Sequence, residues 1–387
     1  MYKILTLNNI SVRGLERLPR ERYEVASEIA HPDAVLVRSA KMHDMDIPPS
    51  LKAVGRAGAG VNNIPVDRMN EKGIVVFNAP GANANAVKEL VIAGMLLAAR
   101  NICSAWDYTR RLEGDASSLS KQVEAGKKQF VGFELPGRTL GVIGLGAIGV
   151  QVANAARALG MNVIGFDPTI TLERAWQLSA DVQRATSVDD LLTRSDFITF
   201  HVPLTDATRN LVNRDRLKLL KKGAVVLNFA RDGILDEPAL CELLDMGQVH
   251  AFVTDFPSLE FKGHPRVIAL PHLGASTGEA EENCAVMVAE QVREYLENGN
   301  VRNSVNFPEV FLPRTAAVRL AIVNRNLPDM VGQISHLLGK GGVNIAHMVN
   351  ESRGNLAYTL LDVEGQVDPA TTDAIAAIDG VLRVRVL

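Results

Sequence analysis

Thr139-Leu-Gly-Val-Ile-Gly144-Leu-Gly146-Ala-Ile-Gly149, followed by Asp167, is the stretch that decides how this chain folds. Thr139 to Ile143 is a short apolar run suited to a buried parallel strand, and Ile148 to Leu159 carries an alanine-rich helical period. Glycines between them let the backbone approach a pyrophosphate, and the helix N-terminus offers free N–H groups and the positive end of its dipole. A second strand, Met161 to Phe166, ends in Asp167, close to the roughly 20-residue spacing expected of an acid that hydrogen-bonds the adenosine ribose. Strand, turn, helix, strand and acid in register predict a bound dinucleotide at Gly144, Gly146, Gly149 and Asp167.

Bulk properties narrow the alternatives. At 387 residues the chain has room for two or three domains, and 47% hydrophobic residues fit a well-cored globular protein. A formal net charge of −3, with no large Lys/Arg cluster, argues against a nucleic-acid surface. Cys103, Cys241 and Cys284 are odd in number and far apart, with no Cys/His cluster at metal-ligand spacing, so no metal and a reducing compartment are expected. Met1 runs straight into a strand-like segment and no stretch offers about 18 uninterrupted apolar residues, so neither a leader nor a membrane span is expected and the chain is placed in the cytoplasm.

Working outward, the apolar runs Tyr2–Thr6, Ala34–Val37, Ala53–Arg56 and Ile74–Asn78 alternate with helical stretches and form another α/β unit ahead of the glycine turn. It closes with the apolar helix Ala84–Ala99. Beyond Asp167 the alternation resumes at Asp196–Phe200, Ala224–Asn228, His250–Asp255 and Val267–Leu270. A long helix, Thr277–Asn298, then returns the chain to the first lobe. Asn303–Arg314, with Pro308 and Pro313, reads as a linker, and the tail spells βαββαβ, the ferredoxin-like order. The expected architecture is α/β: a Rossmann nucleotide-binding lobe (98–282) inserted in a flavodoxin-like, doubly wound substrate lobe (1–97 and 283–307). A C-terminal ferredoxin-like domain (315–387) follows. The glycine turn becomes the floor of an expected interlobe cleft.

Ligands in open parallel sheets bind beyond the carboxyl ends of strands, and three polar residues fall just there: Arg231, Glu260 and His272. Hydride transfer between a nicotinamide and a carbonyl needs a proton donor at the oxygen, and histidine titrates nearest neutrality, which suits His272. A carboxylate beside the imidazole favours its protonated form, the expected role of Glu260. Arg231 is suited to grip a substrate carboxylate through two parallel hydrogen bonds. His201, after the Phe197–Phe200 run, is the rival acid/base.

Gly144-Leu-Gly146-Ala-Ile-Gly149, His201-Val-Pro203-Leu-Thr205, Asn228-Phe-Ala-Arg231, Asp255 with Glu260, and Pro271-His272-Leu-Gly274-Ala-Ser276-Thr277 resemble, in order, the motifs of the D-isomer-specific 2-hydroxyacid dehydrogenases. The resemblance covers most of residues 50 to 300. It implies the Arg, Glu and His roles above, NAD contacts at Ala147, Ile148, Asp167, Phe229, Ala230, Asp255 and Gly274, and a homodimer or homotetramer. Arg56-Ala-Gly58-Ala-Gly60-Val-Asn62-Asn63 and Asn78-Ala-Pro80-Gly81-Ala-Asn83 resemble the phosphoglycerate branch, which implies a phosphorylated 2-hydroxy acid, 3-phospho-D-glycerate, as substrate. Arg38, Ser39, Arg56, Gly58 and Asn83 are its candidate partners. From Leu320 the tail resembles an ACT domain, with Asn326 and Asn344 at effector positions that imply L-serine. Three departures from the family pattern stand out: Asp232 follows the arginine where glycine is usual, Glu260 comes three residues after Pro257 where two is usual, and in the tail Asn324 replaces a histidine and Asp329 a glycine. Two alternatives stay open: another D-2-hydroxy acid as substrate, and a non-enzymatic NAD sensor.

Overall fold

The computed structural model describes all residues, 1–387, and contains three sheets. The first is parallel, from β1 (Tyr2–Leu7), β2 (Tyr23–Ala26), β3 (Ala34–Val37), β4 (Ala53–Arg56) and β5 (Val75–Phe77), in the order β2-β1-β3-β4-β5. The second is also parallel: β6 (Thr139–Ile143), β7 (Asn162–Phe166), β8 (Gln183–Arg184), β9 (Phe197–Phe200), β10 (Ala224–Asn228), β11 (Val249–Thr254) and β12 (Val267–Ala269), ordered β12-β11-β10-β9-β6-β7-β8. Both are doubly wound, with the strand order reversing beside β1 and between β6 and β9. The third is antiparallel, from β13 (Val318–Arg325), β14 (Asn344–Arg353), β15 (Leu356–Glu364) and β16 (Val381–Val386), ordered β14-β15-β13-β16. With two interleaved helices this is the expected βαββαβ order. The α/β fold class stands, as do most of the strands read from the sequence; β2 and β8 were not anticipated.

Contacts divide the chain into two compact units, 1–83 with 278–387 and 84–277. The division falls at the start of the helix Ala84–Ala99, whereas the sequence put the boundary near its end. Val87, Val91, Met95, Ala98 and Ala99 of that helix are buried in one cluster with Leu140, Val142, Leu227 and Val253 of the second sheet.

The C-terminal sheet belongs to the first unit because it is apolar on both faces. Leu320, Ile322, Leu361 and Val363 cluster with Ile334, Leu338 and Ile375 of its own helices. Ala321, Val323, Tyr358 and Leu360 cluster instead with Phe77, Val292, Tyr295 and Phe307. Three arginines fasten this second face, Arg319 and Arg385 buried and Arg353 exposed. Arg385 Nη2 donates to the Leu296 carbonyl (2.7 Å), Arg319 Nη1 to those of Asn298 (3.0 Å) and Leu312 (2.9 Å), and Arg353 Nη1 to Ser304 (2.9 Å). Two of these sites end the helix Gly278–Asn298, where cations meet unsatisfied carbonyls and the negative end of the dipole. The stretch read as a linker is an ordered strap: Phe307 and Asn306 are buried, and Asn306 Oδ1 accepts the Val76 N–H (2.9 Å) at the edge of β5.

Candidate active site

The parallel strands of the second unit present their carboxyl ends along one edge, and the glycine turn lies where the order reverses. Gly144 has φ +92°, and a Cβ there would fall 2.6 Å from the His201 carbonyl oxygen, so only glycine lets β6 turn this close to the end of β9. A Cβ on Gly149 would lie 1.9 Å from the Gly144 carbonyl oxygen. Gly146 is different: nothing lies within 4 Å of a Cβ built there, leaving open space at the N-terminus of the helix Ala147–Ala158. The outer glycines serve packing and the middle one leaves a backbone surface on which a pyrophosphate can rest. Asp167 is held beside it, Oδ2 accepting the Leu145 N–H and Oδ1 the Thr169 N–H, each at 2.8 Å.

Beyond β10 and β11 a buried hydroxyl ties two loops together. Thr254 Oγ1 donates to the Asn228 carbonyl (3.0 Å) and accepts the Phe256 N–H (3.0 Å). Asn228 in turn brackets its own loop, Nδ2 donating to the Arg231 carbonyl (2.8 Å) and Oδ1 accepting the Ala230 N–H (3.2 Å). Phe229 and Ala230 are buried, so their backbone is what they can offer a cofactor. The Arg231 side chain is exposed and donates only to the Ala230 carbonyl (2.6 Å). Asp232 is exposed beside it.

Asp255 is buried, with Oδ2 accepting the Gly274 N–H (3.0 Å) and Oδ1 without a partner. An orphaned buried acceptor calls for a donor, and the amide of a nicotinamide supplies one. Glycine turn, Asp167 and Asp255 together fit NAD. Burial raises the Asp255 pKa, while the Gly274 N–H and the neighbouring His272 pull it down. The His272 imidazole is exposed and packs on Phe256, ring centroids 4.8 Å apart. Thus Arg231, Asp255 and His272 belong to one hydrogen-bonded and ring-packed assembly. Glu260 does not join it here; its side chain is exposed on the following loop, and its charge acts on Glu237 and Cys241.

His201 has its Nε2 3.0 Å from Thr199 Oγ1 and a buried, unpartnered Nδ1, and burial pushes its pKa down to about 3. Its imidazole is neutral through physiological pH, which suits a packed residue better than a proton donor. Because the unfolded chain takes up this proton below about pH 6.5 and the folded chain does not until near 3, its contribution to stability is lost as pH falls across that window. The urea midpoint is expected to drop from pH 7 to pH 5, and less so in His201→Gln; equal drops would assign the acid sensitivity elsewhere.

The first unit holds the remaining candidates. Arg38 pairs with Glu281 (2.5 Å) at the rim of a cavity of about 500 Å³ lined by Thr6, Asn8, Ser11 and Ser27, at the carboxyl ends of β1 and β3. Asn8 Oδ1 accepts the Ser39 N–H (3.3 Å). A Cβ on Gly58 would fall 1.6 Å from Arg56 Nη1, so that glycine makes room for the guanidinium. Asn83 is in the turn before the helix Ala84–Ala99. In the C-terminal sheet Asn326 follows the end of β13 that pairs with Leu356, and Asn344 opens β14 opposite Glu364, at the other end. The fold therefore keeps Asn326 and Asn344 a strand length apart within one chain.

Thr254 and Phe256 were not singled out from the sequence. A hydroxyl closing the apolar run of β11 was the available signal for Thr254; the ring contact of Phe256 with His272 spans a loop and left none.

A family model for the NAD-binding domain of D-isomer specific 2-hydroxyacid dehydrogenases matches residues 92–274. The chain belongs to the D-isomer-specific 2-hydroxyacid dehydrogenases. Within them it is similar to D-3-phosphoglycerate dehydrogenases: that of Methanocaldococcus jannaschii is 39% identical over 349 residues, covering 88% of this chain and 63% of the relative. That of Bacillus subtilis is 33% identical, covering 100% of this chain and 72% of the relative. Among solved structures, an NAD+-bound 3-phosphoglycerate dehydrogenase of Entamoeba histolytica superposes with a TM-score of 0.60 at 28% identity, over 80% of this chain and 99% of that one. The chain thus spans under two thirds of the length of the archaeal relative.

Proposed function

We propose that the chain oxidises 3-phospho-D-glycerate to 3-phosphooxypyruvate with NAD, the entry reaction of L-serine biosynthesis. The observation that carries this reading is the assembly of Arg231, Asp255 and His272 at the strand edge that also holds the glycine turn and Asp167. When bound, NAD supplies the hydride acceptor. Arg231 holds the substrate carboxylate by paired charge-assisted hydrogen bonds, and His272 takes the C2 hydroxyl proton, returning it in the reverse direction. From the resemblance, Arg38, Ser39, Arg56, Gly58 and Asn83 serve the phosphate end. The direct test is NADH formation by the purified chain with 3-phospho-D-glycerate, the oxo product trapped. NADH binding without turnover on this or any D-2-hydroxy acid would favour the sensor.

Two carboxylates bear on His272. Asp255 lies beside it, and Glu260 is placed there by the resemblance, where it orients the imidazole through a hydrogen bond. Glu260→Gln is expected to lower kcat by about tenfold or more, and an unchanged kcat would remove Glu260 from the mechanism.

The oligomer and effector are part of the same proposal. Ile102, Trp106, Leu119, Val123 and Val131 are exposed apolar residues in and beside the helices Ile102–Arg110 and Ala116–Gly126, and the first of these helices buries none of its residues. Such a surface suits a second copy of the chain, read as a dimer by sedimentation. The C-terminal domain is assigned as an ACT-like sensor of L-serine. With Asn326 and Asn344 far apart in one chain, a ligand touching both bridges two copies; calorimetry showing no heat at millimolar serine would end this assignment. The cytoplasm is the proposed location, consistent with three free cysteines.

A further inference from the structure

The fold brings Cys241, Asp245 and His264 together, although their spacing in the sequence gives no metal motif. Cys241 and Asp245 are one turn apart on the helix Glu237–Asp245, and His264 comes from the loop after β11. The Cys Sγ, a carboxylate oxygen and an imidazole nitrogen all lie within 4.8 Å of one another, and His264 Nε2 is 3.2 Å from Asp245 Oδ1. A tetrahedral zinc site spaces such donors roughly 3.2–3.7 Å apart, from Zn–S near 2.3 Å and Zn–N near 2.0 Å. The imidazole and carboxylate are already at that separation, and the thiol has about an ångström to close by rotation.

We propose that Cys241, Asp245 and His264 form a binding site for a borderline-soft divalent ion of the zinc type. One thiolate, one imidazole and one carboxylate are the donor types such an ion takes, and hard ions such as Mg2+ or Ca2+ prefer all-oxygen sets. Two further features suit it. The His264 side chain is only 10% exposed and is fixed by consecutive turns, its N–H donating to Phe261 and its carbonyl accepting from Val267, whereas Asp245 is open to solvent at 72%, leaving an entry path. The Glu260 carbonyl oxygen is 3.8 Å from Cys241 Sγ, placed to complete the set or to hold a ligand water.

Binding carries a proton balance. The Arg266 N–H donates to His264 Nδ1 (3.1 Å), which leaves the ring proton on Nε2 towards Asp245. The ion takes the Nε2 lone pair, the ring keeps one proton by moving it to Nδ1, and the exposed Arg266 amide turns to water. Cys241 loses its thiol proton to solvent as the metal–sulfur bond forms. Breaking the Arg266 contact weakens the site, so micromolar affinity is expected. The ion would bolt the helix Glu237–Asp245 to the loop carrying Glu260.

The test uses Co2+ alone, titrated into the whole protein under reducing conditions. A thiolate-to-cobalt charge-transfer band and the visible bands of a four-coordinate ion are expected, saturating at one ion per chain. Cys241→Ser should abolish the charge-transfer band, and His264→Asn should weaken binding on the order of tenfold or more. Cys103→Ser should leave the spectrum unchanged. No charge-transfer band at millimolar Co2+ overturns the proposal, as does a band that survives Cys241→Ser or is lost in Cys103→Ser.

Discussion

Replacing His272 by Asn is expected to lower kcat by on the order of 10²–10⁴ while leaving the NADH dissociation constant within about twofold. The amide keeps the polarity of the imidazole and its place on Phe256 but cannot accept and return a proton between pH 5 and 8. In the proposed mechanism cofactor binding rests on other groups, the open backbone at Gly146, Asp167 and the buried Asp255 carboxylate, so binding should survive the change. Stopped-flow turnover together with NADH fluorescence titration separates the two effects. Unchanged turnover would take His272 out of the mechanism; lost NADH binding would make it a structural residue.

Asp362→Ala carries the other large effect, on stability. Arg319 and Asp362 face each other across β13 and β15, both side chains fully buried, in a two-pronged pair with Nε–Oδ1 at 2.6 Å and Nη2–Oδ2 at 2.9 Å. Burial alone would raise the Asp362 pKa, but hydrogen bonds from Arg319 and from the Thr315 N–H outweigh it and hold the carboxyl below its ordinary value. Removing the carboxylate strands a guanidinium away from water, which costs about 3–5 kcal/mol. Replacing both partners by apolar residues of similar volume, Arg319→Met with Asp362→Leu, should cost far less, because no buried charge remains. Urea unfolding of the three proteins decides it. A single variant within about 1 kcal/mol of the parent would show that this pair is not what fastens the C-terminal sheet.

The nucleotide half of the fold was legible because each of its strands is a short apolar run closed by a turn residue, and the glycine spacing fixes strand, loop and helix together. What stayed illegible has physical causes. β8 is two exposed residues, Gln183 and Arg184, paired on one side with β7, and β2 likewise pairs on one side only, at the sheet edge, so neither carries an apolar run to read. The attachment of the C-terminal sheet was written in β13, where Leu320 and Ile322 alternate with equally apolar Ala321 and Val323. A strand apolar at both parities has both faces covered, and a free-standing domain would have kept one of them polar. The strap around Phe307 was hidden by its prolines, which signal a break in regular structure but not whether the segment packs.

The site divides in the same way. Arg231 and His272 were readable because strand ends of a parallel sheet share one edge. The cluster of Cys241, Asp245 and His264 was not, since it joins a helix to a loop by tertiary packing alone. Glu260 shows the limit of carrying a role over from a motif, because the motif places it in the chain without saying where an exposed loop holds its side chain.

The central claim, a 2-hydroxy acid dehydrogenase that recognises a phosphorylated substrate, is tested most directly by NADH oxidation with 3-phosphooxypyruvate and hydroxypyruvate side by side. Two charge-assisted hydrogen bonds to a phosphate predict a kcat/KM for the phosphorylated acid higher by on the order of 10² or more. Equal values for the two acids, or reduction of neither, would contradict it.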